Sequence, residues 1–279
     1  MRQFDVSLIR DAVYDMASSV CYSLPPDFVA AMRAAYEEED SQQGKETLGI
    51  LLANLDLSEQ GRYPACQDTG MGVVWLDVGR DVHLSGDPYE AIQEGVRRAY
   101  ADSYLRLSVV ADPLRRKNTG DNTPALVTTQ LVAGDKVRVQ FAAKGFGSEN
   151  ASQLKMLKPS DGIDGVKNFV IHVVNEAGPN ACPPLVVGVG IGGTFDHAAR
   201  IAKEALMRPL GETHPDPFYA ELEADWLASI NELGYGPQGY GGRTTALAVH
   251  IATLGTHIAG LPVAVNINCH MTRHEERIL

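Results

Sequence analysis

The sequence is poor in cysteine, holds no long apolar run and is short of basic charge. No apolar run reaches the roughly 18 residues that a membrane span needs, and the opening Met-Arg-Gln-Phe-Asp lacks the charged-then-apolar layout of a signal peptide. The chain therefore reads as cytoplasmic. In that reducing compartment its four cysteines, Cys21, Cys66, Cys182 and Cys269, do not read as a disulfide framework. None stands in a C-x-x-C pair, which excludes a zinc ribbon and a thioredoxin-type motif. With 24 Lys and Arg against 35 Asp and Glu, the net charge of −11 argues against a general binder of nucleic acid or anionic membrane. Net charge says little about one pocket, so a small acidic substrate stays open.

What is present describes an ordinary globular protein: 44% hydrophobic and 21% charged residues over 279 positions, enough to bury a sizeable core. With no internal repeat and no low-complexity linker, one domain over residues 1–279 is expected, with a helical segment over about 1–60 and a mixed α/β region over about 61–279. The fold class is α+β, with mixed sheets surrounded by helices.

Val6, Ile9, Val13 and Met16 recur at the spacing of one buried helical face. Pro25-Pro26-Asp27 breaks that helix and starts a second through Tyr36, after which the acidic run Glu37-Glu38-Glu39-Asp40 is expected in solvent. Further helices are expected over about 45–57, 88–104, 165–177, 196–207 and 217–233. Strands are expected over 72–78, 185–189, 244–252 and 261–267, with a hairpin of 125–132 and 136–143 about the Gly134-Asp135 turn.

Cys66, Cys182 and Cys269 each lie in or beside a loop at a strand edge, with Pro, Asn or Gly close by, whereas Cys21 ends an amphipathic helix. Three loop thiolates suit an iron–sulfur cluster that leaves one iron without a protein ligand. Their spacing is too wide to be a motif, and free cysteines are more often small buried hydrophobes. The string Gly188-Val189-Gly190-Ile191-Gly192-Gly193 matches G-x-G-x-x-G and would support a NAD-linked oxidoreductase. That reading needs a strand after the next helix with an acidic residue at its end. The chain instead runs into Pro209-Leu210-Gly211-Glu212-Thr213-His214-Pro215, so these glycines better suit a tight turn and close packing. Arg115-Arg116-Lys117 suits carboxylate binding or a solvated charge run. His257 sits in an apolar segment, where a satisfied core histidine is the usual outcome. His270 and His274 flank Cys269 at C-H-x-x-x-H spacing without a second ligand pair for zinc.

Six strings, in order along the chain, carry a resemblance: Ala65-Cys66-Gln67-Asp68-Thr69-Gly70; Lys117-Asn118-Thr119-Gly120-Asp121-Asn122-Thr123-Pro124; residues 144–150; residues 188–194; Gly241-Gly242-Arg243-Thr244-Thr245-Ala246; and Asn268-Cys269-His270. Together they resemble the α subunit, or N-terminal domain, of the iron–sulfur-dependent class I fumarate hydratases and the related L-tartrate dehydratases. The resemblance implies a [4Fe-4S] cluster on Cys66, Cys182 and Cys269 with one iron lacking a protein ligand. It implies substrate contacts from Gln67, Arg106, Gly145 and Gly147, and proton handling by Asp68 and His257. It also implies a separate β subunit that completes the site, because single-chain members continue beyond the segment equivalent to Cys269; two α and two β chains fit the family. The implied reaction is reversible hydration of fumarate to L-malate, with L(+)-tartrate to oxaloacetate as the alternative.

Overall fold

The computed structural model describes residues 1–61 and 63–279. The elements are β1 (Arg2–Asp5), α1 (Ser7–Ser19), α2 (Pro26–Glu38), α3 (Gln42–Glu59), β2 (Met71–Gly79), β3 (Val82–Ser85), α4 (Pro88–Asp102), β4 (Leu126–Val132), β5 (Val137–Lys144) and α5 (Phe146–Glu149). They continue with β6 (Gln153–Leu157), α6 (Gly162–Ala177), β7 (Leu185–Gly192), α7 (Phe195–Ala205), α8 (Pro217–Asn231), β8 (Ala246–Leu254), β9 (Leu261–Asn268) and β10 (His274–Ile278). Helices and mixed sheets together make the fold α+β, as expected. The chain divides into two compact units, one of Met1–Pro25, Asn54–Phe146 and Arg273–Leu279, the other of Pro26–Ala53 and Gly147–Thr272.

The first unit is built on a four-stranded sheet of order β10-β5-β2-β4 and a two-stranded parallel pair β1-β3. In α1 the stripe Ile9, Ala12, Val13, Met16 and Ala17 is buried, and it joins Ile92 and Val96 of α4 and Val74, Leu76, Val139 and Phe141 of the sheet in one core. Helix α4 starts where Asp87 accepts the N–H groups of Tyr89 at 2.8 Å and Glu90 at 3.3 Å, with Pro88 in the first turn. The hairpin expected about Gly134 does not form. Strand β2 lies between its two arms, parallel to β4 and antiparallel to β5. The reason is burial: β2 is apolar on both faces, which suits a central strand, whereas Leu126 and Leu131 of β4 are exposed. Gly79 closes the arrangement, since a Cβ there would stand 2.4 Å from the Gly134 carbonyl oxygen.

The second unit holds a sheet of order β6-β9-β7-β8, with β7 parallel to β8 and antiparallel to β9. Val170, Val173 and Val174 of α6, Trp226 and Ile230 of α8, and Val187, Val189, Val263 and Val265 of the sheet form its core. Gly188 and Gly190 lie inside β7, where a Cβ would stand 2.1 Å from the carbonyl oxygens of Ala202 and Ala198 respectively. They let the backbone of α7 rest directly on the strand. The acidic run after α2 is not wholly in solvent. Glu39 is buried, because its carboxylate accepts the N–H of Arg243 at 3.0 and 2.9 Å and that of Ser41 at 3.0 Å. The motif Gly241-Gly242-Arg243 thus wraps a buried carboxylate.

Candidate active site

In the first unit the segment between α3 and β2 is tied down residue by residue. Ala65 donates its N–H to the Cys21 carbonyl at 2.9 Å, and its own carbonyl accepts from Asn54 Nδ2 at 2.8 Å. Cys66 is next, half-buried, with Sγ 3.4 Å from Oε1 of the exposed Gln67. Asp68 has both carboxylate oxygens occupied by main-chain donors, Oδ1 by Gly70 N–H and Oδ2 by Phe146 N–H, each at 2.9 Å. Its carbonyl accepts from Arg273 Nη1. Buried Thr69 binds Arg106 twice, its hydroxyl accepting the Arg106 N–H at 3.0 Å and donating to the Arg106 carbonyl at 3.3 Å. The Arg106 side chain is exposed and has no carboxylate partner among the described residues. Gly145 lies against the same cluster, for a Cβ there would be 3.1 Å from Arg273 Nη2 and 3.3 Å from Asp68 Oδ2. Cys66, Gln67, Asp68, Arg106 and Gly145 therefore form one group.

Its supports are buried polar groups. Asn122 is fully buried in the left-handed region at φ 59°; its Oδ1 accepts the N–H groups of Ser108 at 2.7 Å and Val109 at 3.2 Å, while Nδ2 donates to the Gly70 carbonyl at 3.2 Å. Tyr100 donates to the carbonyls of Thr69 at 2.8 Å and Gly70 at 3.0 Å, and burial pushes its phenol far above the usual range. The Cys21 thiol lies beneath the loop, 3.7 Å from the Thr69 carbonyl. Burial raises it to about 11, against an opposing pull from Arg273, so it stays a protonated thiol at neutral pH. In the string 117–124 the polar residues mainly build the turn: Asn118 accepts from Gly120 N–H at 2.7 Å and Asp121 from Thr123 N–H at 3.0 Å. Arg115, Arg116 and Lys117 are exposed, as a solvated run would be.

In the second unit Cys182 and Cys269 are joined through one histidine. His270, directly after Cys269, donates its main-chain N–H to the Cys182 carbonyl at 3.2 Å, and its Nδ1 lies 3.0 Å from the same oxygen. Cys182 itself stands in the left-handed region at φ 55°, a conformation that costs a non-glycine residue about 1 kcal/mol or more. Cys269 Sγ accepts the Met271 N–H at 3.4 Å. Gly147 is exposed in the single turn α5, with open space where a Cβ would be. His257 is no core histidine. It is exposed in the β8–β9 turn, where Nδ1 accepts the Ala259 N–H at 3.1 Å. Strand β9 runs from that turn to Cys269, and eight residues in a strand span roughly 25 Å, so the two lie at opposite ends of the sheet.

The glycine string 188–193 is no dinucleotide loop. Most of it is strand, α7 covers it, and no strand occurs over 206–216 among the described residues. Also among the described residues, no three His, Cys, Asp or Glu side chains converge on a single metal ion. The sequence alone does not single out Arg273 or Asn122: Asn122 is one polar residue among several in the string 117–124, and Arg273 lies in a polar stretch with no period to mark it.

The family model described as fumarate hydratase (Fumerase) matches residues 10–277. A protein of Methanocaldococcus jannaschii named putative L(+)-tartrate dehydratase subunit alpha is 42% identical over 272 residues, covering 95% of each chain. The L(+)-tartrate dehydratase subunit alpha of Escherichia coli K12 is 31% identical over 271 residues, covering 96% of this chain and 89% of that one. The chain belongs to the fumarate hydratase family, a family of hydro-lyases.

Proposed function

We propose that this chain is the α subunit of an iron–sulfur hydro-lyase that interconverts fumarate and L-malate, and that a separate β chain completes its site. The observation that carries the reading is the Asp68 carboxylate, held on both oxygens by main-chain N–H groups within one group that also contains Cys66, Gln67, Arg106 and Gly145. A carboxylate fixed in that way can take or return the proton α to a substrate carboxylate. Removing that proton builds charge on a group already anionic, and the free Arg106 guanidinium and the Gly145 and Gly147 backbone are suited to receive it.

The donor set fits a cluster. All four cysteines are free of disulfides, and Cys66, Cys182 and Cys269 are half-buried whereas Cys21 is fully buried. Thiolates are the ligands that iron–sulfur clusters take, one per iron, and Cys269 already accepts an N–H bond on sulfur. Bound there, a [4Fe-4S] cluster with one iron lacking a protein ligand supplies a Lewis acid for the substrate hydroxyl and carboxylate. His257 stands at the far end of β9 from Cys269, so it serves the site of a second copy, which fits two α and two β chains. Its exposed imidazole exchanges a proton there.

The relatives' names favour a second reading, L(+)-tartrate to oxaloacetate. Anaerobic co-expression with the β chain, followed by iron and sulfide analysis and kcat/KM for L-malate and L(+)-tartrate, decides between them. Cys66→Ser, Cys182→Ser and Cys269→Ser should each abolish the cluster and Cys21→Ser should keep it; a wild-type complex without iron ends the proposal. Chains carrying Asp68→Asn and His257→Asn, inactive alone, should regain activity when co-assembled. Continued inactivity would place His257 in its own subunit's site.

A further inference from the structure

We propose that Arg273 is the positioning residue of the Asp68 loop. It sits at the mouth of β10, where its carbonyl accepts the Ala143 N–H at 3.0 Å and fixes its backbone to β5. From there the side chain runs inward and is 3% exposed. A buried guanidinium is costly unless it is paired, yet no carboxylate forms an ion pair with it among the described residues, and its Nε–H has no acceptor there. A methionine would fill the space without that cost, so the charge is explained by what the fork touches. Nη1 holds the Asp68 carbonyl, Nη2 lies beside Gly145, and the Cys21 thiol feels the same charge. One cation thus ties together the end of α1, the Cys66–Asp68 loop and the start of the glycine loop whose Phe146 N–H binds Asp68 Oδ2. Three constraints then set where the Asp68 carboxylate points: Gly70 on Oδ1, Phe146 on Oδ2 and Arg273 on the main chain. Arg273 works through Asp68 and Gly145 and touches no substrate. A Cβ at Gly145 would press on both the guanidinium, at 3.1 Å, and the carboxylate it steers, at 3.3 Å, so the missing side chain leaves both groups where they stand.

The inference rests on Asp68 as the proton-handling group. The test uses Arg273→Lys, Arg273→Met and Gly145→Ala in the complex with the β chain. Arg273→Lys keeps the charge and loses the fork. Its kcat should fall about 100-fold, the scale of a slightly misplaced catalytic group, while KM moves by less than about threefold. Iron content and Tm should stay at wild-type values. Hydrogen exchange of the Gly70 and Phe146 amides should quicken about tenfold, a readout independent of turnover. Arg273→Met should be worse in kcat and exchange. The double variant Gly145→Ala with Arg273→Lys should be no worse than its poorer single, because both loosen one contact. Wild-type kcat and exchange in Arg273→Lys overturns the proposal. So does a loss of kcat that tracks iron or Tm, and so does a rise in KM at constant kcat, which would make Arg273 a substrate ligand. If Asp68→Asn instead keeps wild-type kcat, the reading of Asp68 fails, and the exchange rates still decide whether Arg273 holds the loop.

Discussion

Asn122→Ala should cost the first unit about 3 kcal/mol. The side chain is fully buried and makes three hydrogen bonds, two accepted from Ser108 and Val109 N–H and one donated to Gly70. Ser108 is exposed and its N–H can turn to water, and the Gly70 carbonyl keeps Tyr100 at 3.0 Å. The Val109 N–H is buried and left unpaired, which costs about 1–3 kcal/mol. Holding alanine at φ 59° adds about 1 kcal/mol over asparagine, which tolerates that region. Asn122→Asp separates the causes. It retains both acceptors but sets an oxygen where Nδ2 stood 3.2 Å from the Gly70 carbonyl, so at pH 7 it should be at least as unstable as the alanine variant. Acidification restores a donor to the introduced carboxyl, and the gap to wild type should narrow as pH falls. Of the two tryptophans, Trp75 lies in the first unit and Trp226 in the second, so urea unfolding followed by Trp75 fluorescence in a Trp226→Phe background reports the first unit alone. An alanine variant within about 0.5 kcal/mol of wild type, or an aspartate variant as stable as wild type at pH 7, would refute the reasoning.

Gly190→Ala puts a Cβ 2.1 Å from the Ala198 carbonyl and should cost about 3 kcal/mol or prevent folding, whereas Gly147→Ala meets nothing within 4 Å and should be neutral by the same unfolding assay. Glu39→Ala removes a buried carboxylate and frees the part-buried main-chain donors of Ser41 and Arg243, and should destabilise the second unit by about 1–3 kcal/mol, read by Trp226 fluorescence; no change would show that the carboxylate is dispensable. Stability should fall as pH rises from about 9 to about 11, because the unfolded chain releases the Cys21 proton over that range and the folded chain keeps it. The rise to about 11 amounts to ~3 kcal/mol, so Cys21→Ala should flatten that limb; equal slopes would exclude the thiol as its source.

The parts of the fold legible in the sequence are those set by neighbours along the chain. Periodicity shows α1, and the helices expected over 88–104 and 217–233 do start at Pro88 and Pro217, each capped by the aspartate before its proline. Pairing across distance is less legible. The Gly134-Asp135 turn signals a hairpin, but β2 buries more apolar surface than either arm and takes the place between them. The short strands β1, β3, β6 and β10 escape a search for alternation because pairing makes them strands: β10 reads His-Glu-Glu-Arg-Ile and gains its conformation from β5.

The candidate site divides in the same way. Cys66, Gln67 and Asp68 are adjacent, so one motif announces them, and resemblance adds Arg106, which the Thr69 side chain holds to the same loop. Arg273 stands four residues after Cys269 and belongs to a different unit. Nothing local distinguishes its charge from those of Arg277 or Glu276, which lie in a polar strand. Burial alone separates them, and burial depends on where β10 pairs. Glu39 is the same case with opposite charge, one of four consecutive acids selected by the N–H groups of a loop some two hundred positions away. A charged residue's role is thus set by the main chain that meets it, so the residues that position Asp68 become visible only once the strands are paired.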